Sequence, residues 1–478
     1  MARFFGARKG RAGISVIRRP RFVVEGCGWG RSASSVTESP CSSGATVVSD
    51  CARALGAGVR SFFAPGAPWR RFTGTVTEKT DDAVGSRVAQ ARKLAGMTQR
   101  ELAARANVSI GLIRSVEQKR VPATAAFLGA VSKALRVGVA DLTGQPFRPG
   151  LGHDAEMHAA ISGLRTELAA YDIDNHAVSA VRPFEQLREA VARICIYRRN
   201  ASFHRLGEEL LPLMGELRAA VHRSAGHERE QAAALLCELY YSAHSVAHKL
   251  GYIDLAGTAV DRLTWSAAKS GDSLWIAAAQ FQRAAILTAG GDWTAAMCFL
   301  ENCRADIEFR LGTAARKDLI AWGGLHLQSG LAASRSGKRD LADEHLAEAR
   351  EAARRLGDDR DRILSFGPTN VAIWSVALSV EAMDAATALS RAHTVVIPAT
   401  TPKERSGHHY IDLSRAFLLQ GDRGRALESL YTAKRIAPAQ TRYNPMVRET
   451  VRALARAEAR RGDAVHGLAV WCGIADRL

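Results

Sequence analysis

Glycines recur through the last two thirds of this chain at the spacing of a helical hairpin, and that spacing restricts the fold more than any other feature. Gly251, Gly291, Gly337, Gly421 and Gly462 fall about 40 to 46 residues apart, with room near Val380 for one more unit between 337 and 421. A glycine can end one helix in the left-handed region and let the next run back antiparallel. Counted from each glycine, apolar residues return at plus five, nine and twelve: Ala296, Leu300 and Cys303; Ala342, Leu346 and Ala349; Ala426, Leu430 and Ala433; Gly467, Trp471 and Ile474. Val380 as origin gives Ala385, Leu389 and Ala392. A small residue at a helix crossing, a bulky one a turn later and another after it suit close antiparallel packing. From about residue 154 onward the chain is rich in Ala and Leu and almost free of strand signals. The expectation is an all-α chain in which five or six hairpins stack into a solenoid, preceded by less regular helices around 185–222.

A second helical pattern occupies residues 84–146. Val84, Val88, Ala91 and Leu94 share a helix face opposite Arg87, Arg92 and Lys93, and Gly96 stops that helix. Thr98 with Glu101 has the spacing of a capping box, opening a helix that runs to about Ala106. Asn107 and Val108 make a tight turn, and Ser109 caps a third helix, Ile110 to Glu117, whose Ile113 and Val116 face inward beside Leu102 and Ala103. A fourth helix, Thr124 to Leu135, follows Pro122, and a short fifth includes Asp141 and Leu142. Two helices of about eight residues joined by so short a turn present the first turn of the second one outward, as in motifs that enter a major groove.

Charge agrees with that placement. The net charge is +17, of which residues 1–80 carry +9, residues 81–146 carry +5 and the remaining 332 residues only +3. A basic segment captures phosphate, whereas the near-neutral remainder lacks the charge of a nucleic-acid surface. Residues 1–80 are dominated by Ser, Gly, Pro and Arg without apolar periodicity, which predicts a disordered basic extension or a start placed too far upstream of the true one near Val76 or Val84. Eight scattered cysteines, none in a C-x-x-C pair, read as reduced thiols, and no apolar run is long enough to span a bilayer. These features predict a cytoplasmic protein with no membrane contact.

Residues 84–146 resemble the phage-repressor-like, xenobiotic-response-element helix-turn-helix family. Arg92, Gly96, Thr98–Gln99, Leu102–Ala103, Val108–Ser109, Ile113, Glu117 and Pro122 carry the resemblance. It implies double-stranded DNA as partner. Ser109, Ile110, Gly111, Arg114 and Ser115 would face base edges, with Gln99, Arg100, Lys119 and Arg120 on phosphates. Only Arg114 in that set can make the bidentate guanine contact worth about 1–3 kcal/mol of discrimination. One departure is Lys119, where the family usually has a glycine with positive φ, at a cost of about 1–2 kcal/mol if the turn keeps that geometry. The segment YIDLSRAFLLQGDRGRALESLYTAKRIAP resembles the tetratricopeptide repeat through Gly421-Asp422, Ala426, Leu430, Ala433 and Pro438; the other copies are degenerate and longer. That likeness implies a concave surface for a peptide or protein ligand, with Asn370, Trp374, Arg415, Thr288 and Ser334 facing it.

No P-loop, no glycine-rich dinucleotide loop and no G-x-S-x-G is present, and no catalytic residues, metal site or cofactor are expected. His244 and His248 lack the intervening Glu of a zinc-protease helix, and His408–His409 and the carboxylates near 360 read as solvated loops. The expected organisation is a basic extension (1–80), a helix-turn-helix domain (81–146), a linker helix (147–182) and a helical-repeat domain (183–478). The pairing of modules resembles the peptide-pheromone-responsive regulators. It implies a homodimeric transcriptional regulator; the alternative is a scaffold or antitoxin-like autoregulator whose repeats bind a partner protein.

Overall fold

The computed structural model describes residues 83–147, 153–309, 311, 315–357, 361–457 and 463–475. The expected extension at 1–80 and the turn at Gly462 lie outside the described residues. Every regular element among the described residues is a helix. The first five are α1 (Val84–Leu94), α2 (Gln99–Ala106), α3 (Ile110–Glu117), α4 (Ala125–Leu135) and α5 (Val139–Thr143). Next come α6 (His153–Ala169), α7 (Phe184–Arg199) and α8 (Phe203–Arg223). Then follow α9 (Gly226–Leu250), α10 (Ile253–Ser270), α11 (Ser273–Ala289), α12 (Trp293–Glu308), α13 (Arg316–Arg335) and α14 (Arg339–Leu356). The chain ends with α15 (Pro368–Glu381), α16 (Ala385–Ala392), α17 (Lys403–Gln420), α18 (Arg423–Ile436), α19 (Pro438–Tyr443), α20 (Pro445–Ala457) and α21 (Asp463–Cys472).

Local chemistry sets the first five helices. The Glu101 amide donates to Thr98 Oγ1 at 3.2 Å while the Thr98 amide donates to Glu101 Oε2 at 2.7 Å, a reciprocal cap on α2. Ser109 Oγ accepts from the Leu112 amide and Thr124 Oγ1 from the Phe127 amide, both at 3.1 Å. The inward faces of these helices form a separate apolar core around Val88, Leu102, Ile113, Val116, Leu128 and Leu142.

Beyond it, helices pair as antiparallel hairpins: α9 with α10, α11 with α12, α13 with α14, α15 with α16, α17 with α18 and α20 with α21. Gly251, Gly291, Gly337 and Gly421 all turn with φ between 79° and 90°. The stripes counted from Gly291, Gly337 and Gly421 are buried as the spacing predicts. Two copies depart from it. The fourth turn falls on Met383 (φ 57°), three residues after Val380, which is buried inside α15. In the last copy Val465, Ala469 and Cys472 are buried while Gly467 is exposed, so the inward stripe starts two residues earlier than expected. Degenerate repeats keep the packing and let the turn drift, because Met383 takes the left-handed conformation that glycine supplies elsewhere.

The array closes on itself. Helix α17 packs against α7 and α19 against α9, and Lys249 Nζ bonds Glu404 Oε1 at 2.8 Å between α9 and α17. Arg199 Nη1 donates to the Asp361 carbonyl and to Ser365 Oγ, both at 3.2 Å, tying α7 to the loop before α15. Asp361 was expected in a solvated loop; it is buried, and its carboxylate accepts from the amides of Ile363, Leu364 and Phe366. His408 and His409, also expected in a loop, lie on α17, with His409 buried. Ile161, Leu164 and Leu168 of α6 are buried in the main core against α8.

The first five helices belong to the same compact unit as the array, Glu78–Leu478. Helix α4 rests on the α11–α12 turn so closely that a Cβ on Gly291 would lie 2.2 Å from the Gly129 carbonyl oxygen. Lys133 Nζ bonds Asp292 Oδ1 at 3.0 Å across the same contact. On the other side, Met446 of α20 packs against the apolar core of the first five helices.

Candidate nucleic-acid interface

Helix α3 is held by one face and open on the other. Asn107 in the left-handed conformation (φ 52°) turns the chain out of α2, and Ile113 and Val116 then anchor α3 against Leu102 and Ala103. This leaves Ser109, Gly111 and Arg114 exposed and Ile110 and Ser115 partly exposed, so the five base-facing candidates share one accessible surface. Arg100 and Arg120 are exposed at the start of α2 and just after α3, where cations can meet phosphate.

Glu117 organises this surface from behind. Arg92 grips it with two bonds, Nε to Oε1 at 2.7 Å and Nη2 to Oε2 at 2.9 Å, while Gln99 Nε2 donates to Oε2 at 2.8 Å. Burial pushes the Glu117 carboxyl up, but the bonds from Arg92 and Gln99 outweigh it and hold the group below its ordinary value. Gln99 Oε1 in turn accepts from Arg114 Nε at 3.4 Å. The structure thus uses Gln99 internally: both ends of its amide are engaged, and it aims Arg114. Arg92 and Glu117 lie 25 residues apart in the chain, so the sequence shows both charges but not the contact between them.

Lys119 keeps the left-handed geometry of the glycine it replaces (φ 61°) and is partly buried. Lys119→Gly is expected to raise stability by about 0.5–1 kcal/mol, because relief of left-handed strain exceeds the entropy that glycine adds to the unfolded chain. The same change should weaken DNA binding alike for all sequences. Chemical denaturation and a salt titration on one sample check both, and a fall in stability would contradict the strain argument.

Of the five groove candidates three are buried, and two, Trp374 and Arg415, are partly exposed. Thr288, Ser334 and Asn370 are buried, and their side-chain oxygens Oγ1, Oγ and Oδ1 find no protein hydrogen-bond partner. Trp374 stands edge-on to Phe281, ring centroids 6.2 Å apart. Arg415 Nη1 bonds Glu381 Oε1 at 2.7 Å and Asp412 Oδ1 at 3.1 Å, and Arg335 Nε bonds Glu381 Oε2 at 2.7 Å. Burial raises the Glu381 carboxyl, but the two arginines bring it down to about 2. For Asp412 burial wins over Arg415, with Glu381 adding repulsion, and the carboxyl rises to about 6. Asn370 and Trp374 lie ten and six residues before Val380; the same offsets from the observed turn at Met383 fall on Ile373 and Ala377.

Among the described residues no helix is long and apolar enough to cross a membrane. No curated protein and no solved structure matches the chain. Residues 88–142, most of α1 through nearly all of α5, match the helix-turn-helix family model, and with the open face of α3 that match supports a DNA-binding transcription regulator.

Proposed function

We propose that this protein is a cytoplasmic, non-enzymatic transcriptional regulator that binds double-stranded DNA as a homodimer and reads sequence through α3. The accessible surface of Ser109, Ile110, Gly111, Arg114 and Ser115, inside the matched helix-turn-helix segment, carries this reading. One such helix reads only a few base pairs, so two copies on an inverted repeat, with half-sites about 10 base pairs apart, give adequate specificity. Footprinting on the upstream region tests it; full-affinity binding of a monomer to one half-site contradicts it. Arg114→Ala should cost about 1–3 kcal/mol mainly at one base position, whereas Arg120→Ala should weaken all sequences alike and lower the salt slope by about one. Identical sequence profiles and salt slopes for the two variants would contradict the placement of the recognition helix.

The array, which resembles tetratricopeptide repeats, is proposed to sense a peptide or small ligand. The buried, unpartnered oxygens of Thr288, Ser334 and Asn370 support this, since each costs about 1–3 kcal/mol unless something satisfies it. The engagement of Arg415 by Glu381 and Asp412 favours the second reading, a scaffold or autoregulator that binds a partner protein on its outer surface. Titrating DNA affinity with peptide and small-molecule fractions of the native cells separates them: an effect of any fraction supports sensing, and no effect supports the scaffold.

A further inference from the structure

Arg304 of α12 is a cation that no acid holds. Its Nη1 donates to the hydroxyl oxygen of Ser329 on α13, and that hydroxyl donates to the Leu325 carbonyl at 2.9 Å. Among the described residues no carboxylate bonds the guanidinium; Glu301 and Glu308, on the same helix, reach it only through the field of their charges. The side chain is partly exposed, yet burial depresses it below the ordinary arginine value. A cation withdrawn from water this far is ordinarily paired, because desolvation without a counter-charge is costly.

Two imidazoles stand one turn away. His326 precedes Ser329 by three residues on α13, so the two share a face. His326 Nδ1 lies 3.1 Å from His345 Nδ1 of α14, with the rings edge-on and their centroids 5.1 Å apart. Trp322 covers His326, with centroids 4.5 Å apart, and His326 is buried while His345 is partly exposed. Burial first and then the charge of Arg304 push His326 down to about 2 and His345 down to about 4, so both rings are neutral at physiological pH. A neutral ring carries one N–H, and the 3.1 Å contact requires one Nδ1 to donate and the other to accept. His326 Nε2 is buried without a protein partner. The tautomer that strands no N–H there has His326 Nδ1 donating, which leaves the proton of the partly exposed His345 on Nε2. Arg304, bonded to Ser329, and His345, against His326, thus bring donors to one face of α13 from the helices on either side of it in the chain.

We propose that Arg304 and His345 form a binding site for a small oxyanion, a carboxylate or a phosphoryl group, gripped by the free N–H groups of the guanidinium and by His345 Nε2. A planar guanidinium suits two oxygens of such a group, and the imidazole N–H supplies a further bond. None of these residues belongs to the first five helices or to the groove candidates, so the site depends on neither the DNA-binding nor the groove reading.

The test uses the full chain, with sodium phosphate and sodium acetate as probes and sodium chloride at equal ionic strength as reference. Imidazole signals are followed in proton–nitrogen correlation spectra, and those of His345 are assigned by their loss in His345→Gln. One or both anions should shift the His345 signals saturably and raise the melting temperature above that in chloride; phosphate alone assigns a phosphoryl ligand, acetate alone a carboxylate, and both the shared chemistry. Arg304→Gln should abolish both responses, Arg304→Lys should retain part of each, and Arg120→Ala should leave them intact. A melt of each variant in chloride checks that it folds, and Arg304→Lys keeps the charge should Arg304→Gln fail to do so. A rise in melting temperature that persists in Arg304→Gln without a His345 shift puts the anion elsewhere and overturns the proposal, as does the absence of any response of the unmodified protein to either anion.

Discussion

Gly85→Ala is expected to destabilise the helix-turn-helix segment by more than about 2 kcal/mol and to abolish tight DNA binding. A Cβ at position 85 would lie 2.1 Å from the carbonyl oxygen of Val116 and 3.1 Å from its carbonyl carbon. Those atoms are backbone of α3, so no side chain can swing aside, and overpacking of this kind costs about 1–3 kcal/mol or more. Helix α1 would have to lift away from α3 next to Glu117, loosening the grip of Arg92 that holds Gln99 and Arg114 in place. Gly111→Ala is the comparison, since its nearest neighbour, Ser109 Oγ, lies 3.9 Å away and the helix should gain about 0.5–1 kcal/mol. Thermal melts followed by DNA titration would decide; an unchanged melt and affinity for Gly85→Ala would show that α1 does not approach α3 this closely.

Glu381→Ala is expected to cost about 3–5 kcal/mol at neutral pH, because it leaves Arg335 and Arg415 buried without their shared carboxylate. The pH dependence separates Glu381 from its neighbour Asp412. Glu381, lowered to about 2, contributes stability that is present above the unfolded carboxylate value and is lost as pH falls through the acid range. Asp412 has the opposite sign: raised to about 6, it contributes stability that is present at low pH and lost as pH rises through 6. The protein should therefore gain about 1 kcal/mol from Asp412 between pH 7 and pH 5, and Asp412→Asn should remove that gain. Urea midpoints at the two pH values measure it. A gain that survives in Asp412→Asn would assign the proton to another group.

What the sequence makes visible in this fold is what local chemistry decides. The ends of α2, α3 and α4 follow from Thr98, Ser109 and Thr124, whose hydroxyls cap amides three residues away, and four hairpin turns follow from glycines that need no partner to adopt positive φ. The turn at Met383 was hidden because its left-handed backbone is imposed by packing on a residue that does not prefer it. At the interface, the exposure of the base-facing residues follows from the burial of Ile113 and Val116 opposite them. The Arg92–Glu117 pair, the close approaches at Gly85 and Gly129, and the packing of Met446 on the core of the first five helices join segments far apart in the chain. A lone glycine in a helical run looks like a weak helix former until its neighbour is known.

Because Gly129 meets Gly291 backbone to backbone while Met446 reaches the same apolar core from α20, the helix-turn-helix is a strut fastened at an early hairpin and at the last one. A strut fixed at two points of a curved array spans it like a chord. Any opening of the array lengthens the distance the chord must cover, and five short helices cannot stretch. The reading helix must then tilt with one foot or lose the other, so the array cannot change curvature without moving α3.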